Sequence, residues 1–186
     1  MKNRICRTVT AMLLCMFIAA PAALAADETK PANVFTDHNR MMWSYMKQII
    51  LRSAEKMPEE NYAFRPADSV RTYGQIVGHV ADAQYAFCSV ALGEKKPDVQ
   101  IEKTKASKAD LVAALQDALK YCDKAYDGLT DASGLEMAKL MGRDMPKLGV
   151  LNVNNVHLME HYGNLVTYMR MKGIVPPTSE PGFGGR

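Results

Sequence analysis

Four long segments of this 186-residue chain repeat their apolar residues at the helical period, and no run alternates convincingly as a half-buried strand would. That pattern predicts an all-α fold. The first helix should follow Thr36 or Asp37 and run to about Lys56, where Pro58 stops it. Its stripe reads Met42, Tyr45 and Ile49, with Trp43, Met46 and Ile50 beside it. The second opens at Thr72, with Gln75 completing a capping box, carries Ile76, Val80, Ala83, Phe87 and Val90 inward, and ends at Gly93. The third opens at Ser107, with Asp110 as its acidic partner position. It presents Leu111, Leu115, Ala118, Leu119, Cys122 and Tyr126 and closes at Gly128. The fourth begins near Pro146, suited to a first helical turn, and runs to Lys172 with Gly173 as its stop. Four such amphipathic helices make a four-helix bundle over residues 34–175. The Pro- and Gly-rich residues 176–186 read as an extended, mobile tail.

The N-terminus is read separately from the fold. Met1 to Arg7 is basic, Ala11 to Ala20 is apolar, and Pro21 to Ala25 ends in a small-x-small pattern, the layout of a cleaved signal peptide over residues 1–25. An apolar run of about ten residues is half of what a bilayer span needs, so no stable membrane anchor is expected after cleavage. Cys15 raises a lipoprotein alternative, which the bulky Met12, Leu13 and Leu14 before it disfavour. The product should be periplasmic or secreted. Cleavage also changes the charge: of 23 basic residues, Lys2, Arg4 and Arg7 leave with the signal, so 20 remain against 20 acidic. A balanced chain lacks the electrostatic footprint of a nucleic-acid partner.

Cys6 and Cys15 belong to the signal, which leaves Cys88 and Cys122 in an oxidising compartment. Their pairing depends on the connection between the second and third helices. Residues 93–106 are polar and lysine-rich, and fully stretched they reach about 45 Å, against about 30 Å for a 20-residue helix. They can return the chain so that the two helices run parallel, or they can form a solvated loop on an ordinary hairpin. In a hairpin the two cysteines lie roughly 15 Å apart along the axis, too far to bridge; in a parallel pair they share one end. A Cys88–Cys122 disulfide and two buried free thiols both remain open at this stage.

Only four histidines occur: His38, His79, His157 and His161. His157 and His161 stand at i and i+4 of the fourth helix, so both rings leave one face. His79 lies on the apolar stripe of the second helix, where an unpaired imidazole is costly. Three neutral imidazoles on one divalent ion leave coordination positions open, the arrangement of a reactive rather than a structural site. Zinc, nickel, iron or copper would suit such ligands.

The segments Arg71 to Ala83 (RTYGQIVGHVADA), His157 to Val166 (HLMEHYGNLV) and Tyr168 to Pro177 (YMRMKGIVPP) resemble the DinB-like (YfiT-like) superfamily of metal-dependent enzymes. The resemblance spans about residues 38–177. It implies a four-helix bundle in up-down-down-up order with a long crossover between helices 2 and 3. It also implies a divalent-metal site on His79, His157 and His161. Activities in the family vary and include thiol transfer.

Other residues carry weaker signals. Glu160 is a candidate general base. With His157 and His161 it spells the inverzincin pattern His-x-x-Glu-His, but that motif needs a downstream carboxylate and only Glu180 follows. His38, at the bundle end where helix four starts, is a pocket candidate or a surface histidine. Tyr45, Tyr126, Tyr168, Asn155 and Asn164 fall on or near inward faces and would line a pocket or simply pack. The methionines read as core filler. Paired Glu-x-x-His motifs for a di-iron site and Cys-x-x-Cys-His for haem are both missing from the sequence. The expected function is an exported metal-dependent hydrolase or thiol transferase acting on a small molecule or thiol. The alternatives are a non-catalytic metal- or small-molecule-binding bundle and a purely structural one. A homodimer through bundle faces is also expected, by analogy with the family.

Overall fold

The computed structural model describes residues 33–183; the expected signal peptide and the last three residues lie outside them. Among the described residues six helices, α1 (Val34–Lys56), α2 (Tyr73–Leu92), α3 (Ile101–Thr104), α4 (Lys108–Gly128), α5 (Asp131–Gly134) and α6 (Lys147–Met171), surround one apolar core. A hairpin of β1 (Met137–Leu140) and β2 (Arg143–Pro146) precedes α6. Among the described residues no helix is long and apolar enough to cross a membrane.

Local chemistry accounts for most helix ends. Thr72 and Gln75 form the reciprocal capping box at the start of α2, and Gly93 closes that helix at φ 71°. Ser107 accepts the Asp110 amide at the start of α4, and Gly173, also at φ 71°, ends α6. The start of α1 differs. The helix begins at Val34, ahead of the expected Thr36 or Asp37, because a partner distant in sequence holds its first turn. The Asp131 carboxylate accepts from the Thr36 amide (2.8 Å) and hydroxyl (2.9 Å), while Asn33 Oδ1 accepts from the Asp131 amide (3.0 Å).

Packing selects a narrower face of α1 than its periodicity suggests. Trp43, Met46, Ile49, Ile50 and Ser53 are buried, whereas Tyr45 is 39% exposed. The Trp43 ring stacks on Tyr126 of α4 at 4.5 Å, and its Nε1 donates to Asp123 (2.9 Å). Helix α2 is buried on most of its surface, as expected of an element packed on α3, α4 and α6. Its Cys88 is bonded to Cys122 of α4, with Cα atoms 5.3 Å apart. At the other end of α2, a Cβ on Gly74 would stand 3.2 Å from Leu111 of α4.

Three further segments depart from expectation. Residues 93–106 are not merely solvated: α3 docks on α2 through buried Ile101. The hairpin corrects the all-α reading. Its two-residue turn, Met141 and Gly142, has φ 49° and 81°, the doubly left-handed geometry that suits a strand pair's twist. Finally, residues 176–183 lie against the bundle rather than extending freely. Pro177 is buried, Tyr162 Oη bonds Thr178 (2.8 Å), and Glu180 pairs with Arg52 and Lys56 of α1.

The disulfide spans 34 positions, a loop whose closure in the unfolded chain corresponds to roughly 3–4 kcal/mol. Replacing Cys88 and Cys122 together by alanine should lower the unfolding free energy by about that amount in urea melts. Thiol titration of the denatured, unreduced mature chain should find no free cysteine.

Candidate metal centre

His79 projects from α2 toward α6, where His157 and His161 lie one turn apart. His157 Nε2 stands 3.2 Å from His79 Nε2 and 3.1 Å from His161 Nε2, and all three ligand atoms lie within 4.8 Å of one another. Hydrogen bonding alone does not explain this convergence. A ring nitrogen carries one proton or one in-plane lone pair, so His157 Nε2 cannot serve both neighbours well. An ion can. Nitrogens about 2.0–2.1 Å from a common metal are roughly 2.9 Å apart at right angles and about 3.3 Å apart at tetrahedral angles. The two separations from His157 fall between these values and the third pair lies within 4.8 Å, so the three histidines are placed where they could bind a divalent ion.

The surroundings prepare the rings as donors. Burial lowers the His157 pKa to about 4, with His161, His79 and Arg71 adding repulsion against a further positive charge. Burial, then His79, lowers that of His161. Both rings therefore stay neutral, as ligation requires. The Nδ1 atoms of His157 and His161 are buried without hydrogen-bond partners. His79 Nδ1, by contrast, faces Glu102 Oε2 of α3 at 3.3 Å.

His161 of the cluster lines a cleft of about 540 Å³, together with Arg71, Gln75, Glu102, Glu160, Asn164 and Tyr168, among others. Arg71 Nε donates to Glu102 (2.9 Å), and Tyr168 Oη donates to the Arg71 carbonyl (2.7 Å), which holds the loop before α2 against α6. Glu160 and Asn164 are exposed on the wall, with the Asn164 amide donating to the Glu160 carbonyl (2.9 Å).

The structure thus gathers His79, His157, His161, Glu160, Asn164 and Tyr168, but not the other pocket candidates. His38 is exposed on α1 and does not line the cleft. Tyr45 lines a separate cavity with Arg52 and Phe183. Tyr126 is buried in the core, bonded to Leu151 O (2.8 Å) and to Asn154 and Asn155. Two site residues carried no clear sequence signal. Arg71 lay within a motif segment without an assigned role, and Glu102 read as one more charge in a polar connection.

A mostly helical fold with three converging imidazoles beside an open cleft has a donor set that could hold a metal ion. The sequence pattern of the DinB superfamily matches residues 42–165, and the chain belongs to that family. A DinB-like protein from Bacillus cereus superposes with a TM-score of 0.68 at 19% identity, over 76% of this chain and 95% of that one. Another, from Bacillus subtilis, gives 0.58 at 17% identity over 73% and 92%. A mycothiol-dependent maleylpyruvate isomerase gives 0.59 at 14% identity, over 70% of this chain and 60% of that one. No curated protein matches the sequence.

The neutral histidines set a pH dependence. An unfolded histidine takes up a proton near pH 6.5, whereas folded His157 resists protonation until about pH 4. Between these values the unfolded state binds more protons, so the stability of metal-free protein should be full above about pH 6.5 and decline as pH falls toward 4. Thermal unfolding in chelator across that window checks this, and His157→Gln should flatten the slope.

Proposed function

We propose that the protein is an exported metal-dependent enzyme in which His79, His157 and His161 hold one divalent ion and the adjoining cleft admits a small substrate bearing an anionic group. The observation that carries this reading is the convergence of the His79, His157 and His161 Nε2 atoms, with His161 also lining the cleft. Zinc, nickel or iron would fit the ligand set. Export rests on the basic, apolar and small-x-small succession of residues 1–25. The family's up-down-down-up order is supported by Gly74 beside Leu111 and Cys88 bonded to Cys122, which match like ends of α2 and α4. It is also supported by contacts of the first half of α1 with late α4 (Trp43–Asp123) and of the residue just before α2 with late α6 (Arg71–Tyr168).

A divalent ion held there supplies Lewis acidity, which makes water or a thiol a better nucleophile near neutral pH and polarises a carbonyl. The chain's own groups do the rest. His157 and His161 are already neutral and so lose no proton on ligation. Arg71 commits its Nε to Glu102, and no other acceptor among the described residues engages its guanidinium, so its terminal amino groups are free for a substrate carboxylate or phosphate. Glu160, exposed on the same wall, can accept the nucleophile's proton. The reaction is hydrolysis or thiol transfer; the mycothiol dependence of the structurally similar isomerase favours a thiol co-substrate.

Protein purified without a histidine tag should contain or take up about one divalent ion per chain, as measured by elemental analysis. His161→Ala should weaken zinc binding at least tenfold and abolish turnover in a screen of anionic esters and thiol acceptors. Turnover that survives both chelation and this substitution would contradict the mechanism. Stoichiometric binding without turnover would leave the non-catalytic binding bundle.

A further inference from the structure

The crossover between α2 and α4 is fixed to α2 on both sides of His79. One position before His79, Gly78 has no side chain. A Cβ there would lie 2.7 Å from the Glu102 Cα and 3.0 Å from its nitrogen, so only glycine lets the crossover backbone come this close. Three positions after His79, the Asp82 carboxylate accepts the amides of Ile101 (2.8 Å) and Glu102 (3.0 Å). Buried Ile101 secures the same turn. The backbone of Glu102 is therefore held independently of its own side chain.

Its carboxylate then lies between two partners. Oε1 accepts from Arg71 Nε (2.9 Å), and Oε2 faces His79 Nδ1 at 3.3 Å. Neither His157 nor His161 has such a partner. We propose that Glu102 is a positioning residue for the metal centre: it holds the His79 proton on Nδ1, orients the ring and leaves the Nε2 lone pair directed at the cluster. Gly78 and Asp82 deliver it there. The inference rests on the metal-binding reading, but its first test does not require an ion.

In metal-free protein, two-bond nitrogen–proton correlation spectra should show His79 as the Nδ1–H tautomer. Glu102→Ala should shift it toward Nε2–H, with circular dichroism and thermal unfolding confirming the fold. In zinc titrations the same variant should raise Kd ten- to a hundredfold. Glu102→Gln keeps the shape without the charge and should raise Kd by a smaller factor. Gly78→Ala, which displaces the segment and touches no ligand, should reproduce the tautomer shift. If Glu102→Ala or, should that variant not fold, Glu102→Gln leaves both tautomer and Kd at wild-type values, the proposal is wrong. Wild-type protein that shows the Nδ1–H tautomer but takes up no zinc would remove the metal reading and leave the role of Glu102 in orienting the ring standing.

Discussion

Register between α2 and α6 is the constraint on which the site depends. His79 reaches His157 only if the two helices meet at one axial setting, and a buried amide pair one layer away specifies that setting. Asn154 donates to Gln84 at 2.9 Å, with both side chains fully buried. Sliding either helix would break this bond and strand Gln84 Oε1 in the interior, at a cost of about 1–3 kcal/mol. Asn154 also contacts Tyr126 (3.2 Å), so α4 shares the same layer, and the Cys88–Cys122 bond ties α2 to α4 beside it. The imidazoles thus stand on a framework that resists axial movement.

Framework and site both carry unsatisfied groups, Asn154 Oδ1 in the first and two imidazole nitrogens in the second. Two ring nitrogens are buried without partners, and three lone-pair-bearing nitrogens crowd together where burial opposes protonation. Each feature is unfavourable for folding alone. The crowded Nε2 atoms form a donor set that could bind a cation, and such local frustration is usual where function rather than stability selects residues. The cleft adds the opposite polarity of partner: Arg71 sits across from the cluster with hydrogen-bonding capacity left over.

The connections contribute as much as the helices. The polar stretch after α2 reads as a tether, yet it docks by three separate devices and brings Glu102 to His79. The C-terminal residues read as a loose tail, yet Glu180 joins two cations on α1 and Thr178 meets Tyr162. Beside buried Ile101 and Pro177, both segments dock through polar side chains, and a polar residue in a loop looks the same in sequence whether its partner is water or a distant helix.

The helices were legible because their signals are local: apolar spacing, the Thr72–Gln75 box, the Ser107 cap and the glycines at 93 and 173 all lie within a turn or two of what they specify. The convergence of the three histidines was legible for a related reason. Spacing set His157 and His161 on one face, and their segments resembled a family whose pattern also matches residues 42–165. What the chain could not disclose alone was the choice among partners. Whether Tyr126 and Tyr45 enter the cleft, where α1 begins, whether Met141 and Gly142 turn a hairpin, and which acid faces His79 all depend on groups tens of residues away. Only the packed arrangement brings those groups within bonding distance, and there burial and pairing decide each outcome.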